Sequence, residues 1–376
     1  MSKENLLMVA DSDHDANMLY AVGMFVPDPF IFLRLDGKNL IVMNDLEIDR
    51  ARRSAPHCEV LSLSSSLEQL RKNRVKKPRL ANVVASILRE RKAKKVHVPA
   101  SFPLGLARQL RDLDIKLKVK SGSFFPEREL KTPEEVKKLS AALMMAEVGL
   151  AEAIQALRRA KTGKKGQILH HGVALTSEKL RSIIDIAIIQ AGGLARHTIV
   201  AGGKQGCDPH ERGHGPLKAN QPIIIDVFPH SQKTGYFGDI TRTVVKGRAT
   251  EGVRKLYRTV AEGQEIAFKQ IANARRGMDV HKAVNDYFKR QGYSTGKKNG
   301  RMHGFFHGTG HGLGLEVHEA PRISPTSSDT LRTGHVVTIE PGLYYPDIGG
   351  VRLEDVAYIS ETGTRNLTKF EKQLEV

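Results

Sequence analysis

The sequence predicts two domains, an α/β domain over residues 1–124 and an α+β domain over residues 125–376. Three observations carry that expectation. At 376 residues the chain exceeds the roughly 150 residues that a single domain usually needs. Its first third alternates short β-prone runs with helical stretches, as an α/β layer structure does. Beyond Ser121-Gly122-Ser123 and Pro126, which mark a linker, long helical periodicities are interleaved with strands.

In chain order, residues 29–33 and 39–43 are apolar runs split by Asp36-Gly37, the pattern of two strands joined by a turn. A helix is expected over residues 80–91 and a strand over 95–98. Residues 115–119 alternate apolar side chains with lysine, as a half-buried strand does. Thr132-Pro133-Glu134-Glu135 is a helix start: a Thr cap, Pro at the first helical position and a Glu placed to return the capping bond. Val136, Leu139, Leu143, Ala146, Leu150, Ile154 and Leu157 follow at steps of three and four, which predicts a long amphipathic helix ending near Thr162-Gly163. A second helix is expected over 177–190, stopped by Gly192-Gly193, and a third from Glu251 to Ala274, stopped by Gly277.

Composition sets the broad class. With 40% hydrophobic and 27% charged residues the chain is of ordinary globular make-up, neither fibrous nor wholly disordered. No uninterrupted apolar run approaches the roughly 18 residues of a membrane span, and no export signal is recognised, so a cytoplasmic protein with no membrane partner is expected. Only Cys58 and Cys207 are present, too few for a disulfide framework and in keeping with a reducing compartment.

The formal net charge of +18 raises the question of a polyanionic partner, because clustered cations gain affinity by releasing phosphate counterions. The densest cluster comprises Arg71, Lys72, Arg74, Lys76, Lys77 and Arg79, then Arg89, Arg91, Lys92, Lys94 and Lys95. There is no zinc-finger spacing and no Trp, and 6% aromatic residues leave few platforms for stacking bases. A solvated helix face is the expected meaning of the cluster, and nucleic acid is not expected as a partner.

The chemistry lies in the second domain. Asp226 ends the apolar run Ile223-Ile224-Ile225, and a carboxylate on a buried strand is costly unless it is paired or bound to a metal. Asp239 opens a second strand that can pair with the first as a hairpin. The arrangement recurs with Glu340 and Glu354: the two spacings are 13 and 14 positions, alike enough to indicate two related halves. Between the pairs lies His307-Gly308-Thr309-Gly310-His311-Gly312, running on to His318, where glycines admit close backbone approach and imidazoles offer neutral nitrogen ligands. Several carboxylates with one imidazole suit two divalent cations such as Mn(II), Co(II), Zn(II) or Fe(II). Such pairs lie about 3.5–4 Å apart and acidify a shared water for attack on a polarised carbonyl, so hydrolysis is the expected reaction. Singly, each residue has a plainer meaning as an ion-pair partner, a turn or a satisfied core histidine.

In order, Asp226, Asp239, His311, Glu340 and Glu354 resemble the ligand set of the pita-bread metallopeptidases, the group that includes methionine aminopeptidase, prolidase, aminopeptidase P and the metal-free creatinase. The stretches IIIDVF, GDITRT, HGTGHGLGLEVHE, TIEPGLYY and GVRLED carry the likeness. Residues 1–124 look like the N-terminal domain of the creatinase and prolidase branch. The resemblance implies that Asp226 chelates one metal, that Asp239 and Glu354 bridge two, and that His311 and Glu340 complete one shell. It further implies that Glu340 takes a proton from the activated water, that His318 contacts the scissile peptide and that His307 occupies a further pocket position. An upstream histidine that stabilises the tetrahedral intermediate is matched by His210, with His214 as the alternative.

Arg352 stands two residues before Glu354 and shares its strand face. It has a plain meaning as a neutraliser of neighbouring carboxylates, and it is typical of the proline-specific branch. The chain departs from the family in having about two extra residues between its first two acids, which predicts a longer hairpin loop over residues 229–237. The resemblance implies a dimanganese-like Xaa-Pro exopeptidase acting on peptides or dipeptides as a homodimer. Its rivals are an aminopeptidase of other specificity and a non-catalytic nucleic-acid-binding relative, against which the complete ligand set argues.

Overall fold

The computed structural model describes residues 4–376. The chain divides into two compact units, Met1–Pro126 and Glu127–Val376.

The first unit is built on a six-stranded mixed sheet. Its strands are β1 (Leu6–Ala10), β2 (Phe30–Leu35), β3 (Lys38–Met43), β4 (Cys58–Ser62), β5 (Lys95–Val98) and β6 (Lys116–Val119), in the order β4-β3-β2-β1-β5-β6. Strand alternation divides its side chains between two layers. Leu7, Val9, Ile31, Leu33, Leu40 and Val42 face a core with the helices Leu63–Lys72, Leu80–Glu90 and Leu104–Arg111. Leu6, Met8, Phe30, Phe32, Ile41 and Met43 face the other, with Met18, Val22, Ala51 and Phe125. The expected turn at Asp36-Gly37 is present, both residues taking the left-handed φ values of 50° and 82° that such a hairpin requires. All eleven clustered cations from Arg71 to Lys95 are exposed. They lie on helix ends, turns and the start of β5, and few are matched by acids; Arg91 pairs with Glu59 at 2.7 Å and Lys72 with Glu68 at 2.9 Å.

The second unit opens on the capped helix Pro133–Arg159, whose Thr132 hydroxyl accepts from the Glu135 amide while the Glu135 carboxylate accepts from the Thr132 amide. The seven apolar positions read from the sequence are all buried. By length and composition alone this helix is long and apolar enough to cross a bilayer, but half of its most apolar window is buried inside the fold, as in a core helix. It packs on the helix Ser177–Gln190, and the two cover a three-stranded antiparallel sheet of Ile199–Gly202, Pro222–Val227 and Ile240–Val245.

The helix Glu251–Gln270 ends earlier than expected, and Gly277 starts a further helix, Gly277–Arg290, instead of closing the preceding one. A Cβ on Gly277 would lie 2.2 Å from the Arg322 carbonyl oxygen, so this glycine is selected by close packing and not by helix termination. Val280, Val284 and Phe288 bury the new helix against the five-stranded sheet of Glu319–Ile323, Gly310–Gly312, Val336–Ile339, Asp355–Ser360 and Gly363–Asn366. Each half therefore has a helix pair on an antiparallel sheet. Thr243 Oγ1 donates to the Arg352 carbonyl at 2.9 Å and the Glu354 amide to the Thr241 carbonyl at 3.0 Å, joining the halves where their acidic residues lie.

Candidate active site

The acidic residues converge because both hairpins bring strand ends to one place. Asp226 pairs across the ladder with Thr241, two positions from Asp239, and Ile339 pairs with Asp355, which sets Glu340 beside Glu354. His311 is inserted between them. A Cβ at Gly310 would fall 1.9 Å from the Thr338 carbonyl oxygen, so only glycine lets the His311 strand lie this close to the strand that leads into Glu340. Gln264 of the helix Glu251–Gln270, fully buried, donates to the carbonyls of Ile339 at 2.8 Å and Leu353 at 3.2 Å, the residues just before the two glutamates.

A cavity of about 560 Å³ is lined by all five of these residues and by His210, His307, His318 and Arg352. His214 does not line it; it is exposed and hydrogen-bonded to Gln205. Ligand atoms of Asp239, His311 and Glu354 all lie within 4.8 Å of one another. His311 Nε2 stands 3.5 Å from Glu340 and 3.9 Å from Asp239, while its Nδ1 faces the Gly312 carbonyl at 3.1 Å. The tautomer that donates from Nδ1 leaves the Nε2 lone pair directed at the carboxylates.

Electrostatics make the same set unusual. Burial, then the neighbouring Glu354 and Asp226, push the Asp239 carboxyl well above its ordinary range. Burial, then Glu340 and Asp226, do the same to Glu354. Glu340 is raised to about 7, by burial first, with Arg352 working in the opposite direction. Burial lowers His311 to about 3, keeping its imidazole neutral. Oδ1 of Asp226 is buried without a hydrogen-bond partner. Crowded carboxylates, an orphaned carboxylate oxygen and a neutral imidazole are the donor set that divalent cations satisfy, so the residues fit the metal pair expected of them.

Arg352 is buried. It donates to Asp226 Oδ2 at 2.7 Å and to the Tyr344 hydroxyl at 3.0 Å, and that hydroxyl lies 2.9 Å from His307 Nε2. Sequence reasoning missed Tyr344 and Gln264. Tyr344 lies within a quoted stretch but carries no charge to attract notice, and Gln264 is one polar residue on an otherwise ordinary amphipathic helix. Residues 229–237 lie in the hairpin connection between Pro222–Val227 and Ile240–Val245, and this connection is itself ordered: His230–Ser231 pairs with Gly193–Leu194, and the Ser231 amide donates to the Tyr236 carbonyl at 2.9 Å.

A buried carboxylate and histidine cluster at the meeting of two antiparallel halves defines the pita-bread class of metallopeptidases. The chain belongs to metallopeptidase family M24, whose model matches residues 137–361. It is 32% identical to the uncharacterized peptidase YqhT of Bacillus subtilis, over 62% of this chain and 69% of that protein. It is 31% identical to the Xaa-Pro dipeptidase of Pyrococcus horikoshii, over 75% of each chain. Among solved structures, the Xaa-Pro dipeptidase from Bacillus anthracis superposes with a TM-score of 0.82 at 22% identity, covering 99% of this chain and 95% of that one. The two-domain pita-bread fold follows from these likenesses, as does the peptidase class; the family implies divalent metal ions.

Proposed function

We propose that this chain cleaves the bond between an N-terminal residue and proline, as an Xaa-Pro aminopeptidase or dipeptidase. The observation that carries the reading is the convergence on one cavity of the carboxylate and histidine cluster with His210, His318 and Arg352. Asp226, Asp239, His311, Glu340 and Glu354 would hold two divalent cations, with Mn(II) the first choice and Co(II), Zn(II) or Fe(II) also compatible with the donors. When bound, the cations supply Lewis-acid polarisation of the scissile carbonyl and a more acidic water.

This chain's own groups do the rest. Glu340, only partly enclosed and raised to about 7, is placed to take a proton from the attacking water and pass it to the leaving proline nitrogen. His318 stands at the cavity with its ring edge-on to His311 at 4.4 Å, where it can hold the scissile peptide. His210 faces the same space from a separate loop and donates to the developing oxyanion. Arg352 neutralises Asp226 and lines the pocket with His307, the buried Tyr344 hydroxyl bridging the two from behind. Likeness to the family supports a cytosolic homodimer.

The test is hydrolysis of Xaa-Pro dipeptides beside longer Xaa-Pro peptides, with Mn(II), Co(II), Zn(II) and chelator compared. Cation-dependent cleavage of either set is the expected outcome, and the preferred length separates dipeptidase from aminopeptidase. Absence of cleavage under every cation would overturn the reading.

A further inference from the structure

His318 is exposed at the cavity, yet the next residue, Glu319, is buried. The Glu319 carboxylate accepts from Lys131 Nζ at 2.9 Å, from Arg128 Nη2, and from the amide of Glu316 at 3.1 Å. Arg128 Nη2 also donates to Glu316 Oε2 at 2.7 Å, so one guanidinium holds two points of the loop that leads to His318. The loop folds directly over the carboxylate: a Cβ on Gly314 would lie 2.5 Å from Glu319 Oε2. The Gly314 carbonyl in turn accepts from the Phe237 amide at 2.9 Å, two residues before Asp239.

Lys131 is fastened as well, its side chain 1% exposed and its amide donating to the Gly334 carbonyl at 2.7 Å. Neither Arg128, Lys131 nor Glu319 lines the catalytic cavity. A buried ion cluster is weak evidence of added stability, because desolvation offsets most of the attraction; fixing one geometry is the better-founded use of such groups. The geometry fixed here is that of the loop ending in His318.

We propose that Lys131 and Arg128, on the short segment preceding the helix Pro133–Arg159, are positioning residues that act through Glu319 to hold His318 against the reacting peptide. The proposal rests on the reading that His318 contacts substrate. It makes the segment before that helix a determinant of turnover although it touches neither substrate nor metal ligands.

The test is a double-mutant cycle on the full, cation-saturated chain with an Xaa-Pro peptide. Lys131→Met lowers kcat/KM by about 10²-fold, the scale of a misplacement of ~1 Å at a catalytic group, and Lys131→Arg restores most of it. In a His318→Ala background, Lys131→Met has no more than about a twofold further effect, since coupled residues are not additive. Lys131→Met/Glu319→Gln also removes the carboxylate left with Arg128 as its one cationic partner; it keeps the thermal transition of the parent and shows the same kinetic loss, which guards against a variant that fails to fold. Equal losses in both backgrounds, or wild-type kinetics in the folded double variant, would overturn the proposal alone. Wild-type turnover in His318→Ala would overturn the role of His318 and the proposal with it.

Discussion

Asp239→Asn or Glu354→Gln abolishes hydrolysis, by ~10³-fold or more in kcat, while leaving the fold in place. The size follows from losing a carboxylate assigned to both cations, which forfeits about 4 kcal/mol of transition-state stabilisation. The survival of the fold follows from the site's electrostatics. Burial and like charges push both carboxyls far above their ordinary range, so the metal-free protein already favours the neutral acid, and a neutral amide of the same shape adds no new burial penalty. Thr241 Oγ1 donates to Glu354 at 2.7 Å, and the Gln oxygen can accept that bond. Circular dichroism and metal content are measured together with activity. Unchanged secondary structure with lost metal and lost turnover is expected, and near-wild-type activity in either variant would sink the two-cation assignment.

A peptide with Pro in second position is cleaved at least about 10²-fold faster than the same peptide with Ala there, a ratio that needs ~2.7 kcal/mol of discrimination. Arg352 is the residue on which we place that preference. Its guanidinium is held by Asp226 and the Tyr344 hydroxyl, and Tyr344 is fixed in turn by His307, so the pocket wall is rigid and pre-shaped. Arg352→Ala lowers turnover by about 10- to 100-fold, the range for outer partners of metal-binding groups, with metal content close to normal at saturating cation. Comparison of kcat/KM for the Pro and Ala peptides, on wild type and Arg352→Ala, checks both statements. Equal rates on the two peptides would refute the proline assignment and leave the metallopeptidase standing.

Much of the site was legible because metal-binding chemistry writes itself into residue type. Asp226 on an isoleucine run and His311 between glycines are anomalies for a core strand, and strand period places Arg352 with Glu354; the cavity contains all of them. The long helix was legible from its Thr132 cap and seven apolar positions, both local signals. What escaped depends on contacts distant in sequence. Gly277 reads as a helix stop, yet it opens a helix because the Arg322 carbonyl leaves no room for a side chain. Gln264 and Tyr344 acquire meaning only from the strand carbonyls and the guanidinium that they reach. The ion cluster of Arg128, Lys131 and Glu319 joins residues 188 and 191 positions apart, and no periodicity reports such a pairing.

The most direct test of the central claim is calorimetric titration of the chelator-stripped chain with Mn(II) at pH 6, followed in parallel by hydrolysis of an Xaa-Pro peptide. Glu340, raised to about 7, holds a proton at that pH, and burial with neighbouring like charges pushes Asp239 and Glu354 in the same direction, so cations must displace protons from the site. Two cations bound per chain, protons released in proportion, and hydrolysis appearing only as the sites fill are the predicted result. Full hydrolysis in the stripped chain, or filling of the sites without proton release, would contradict the account.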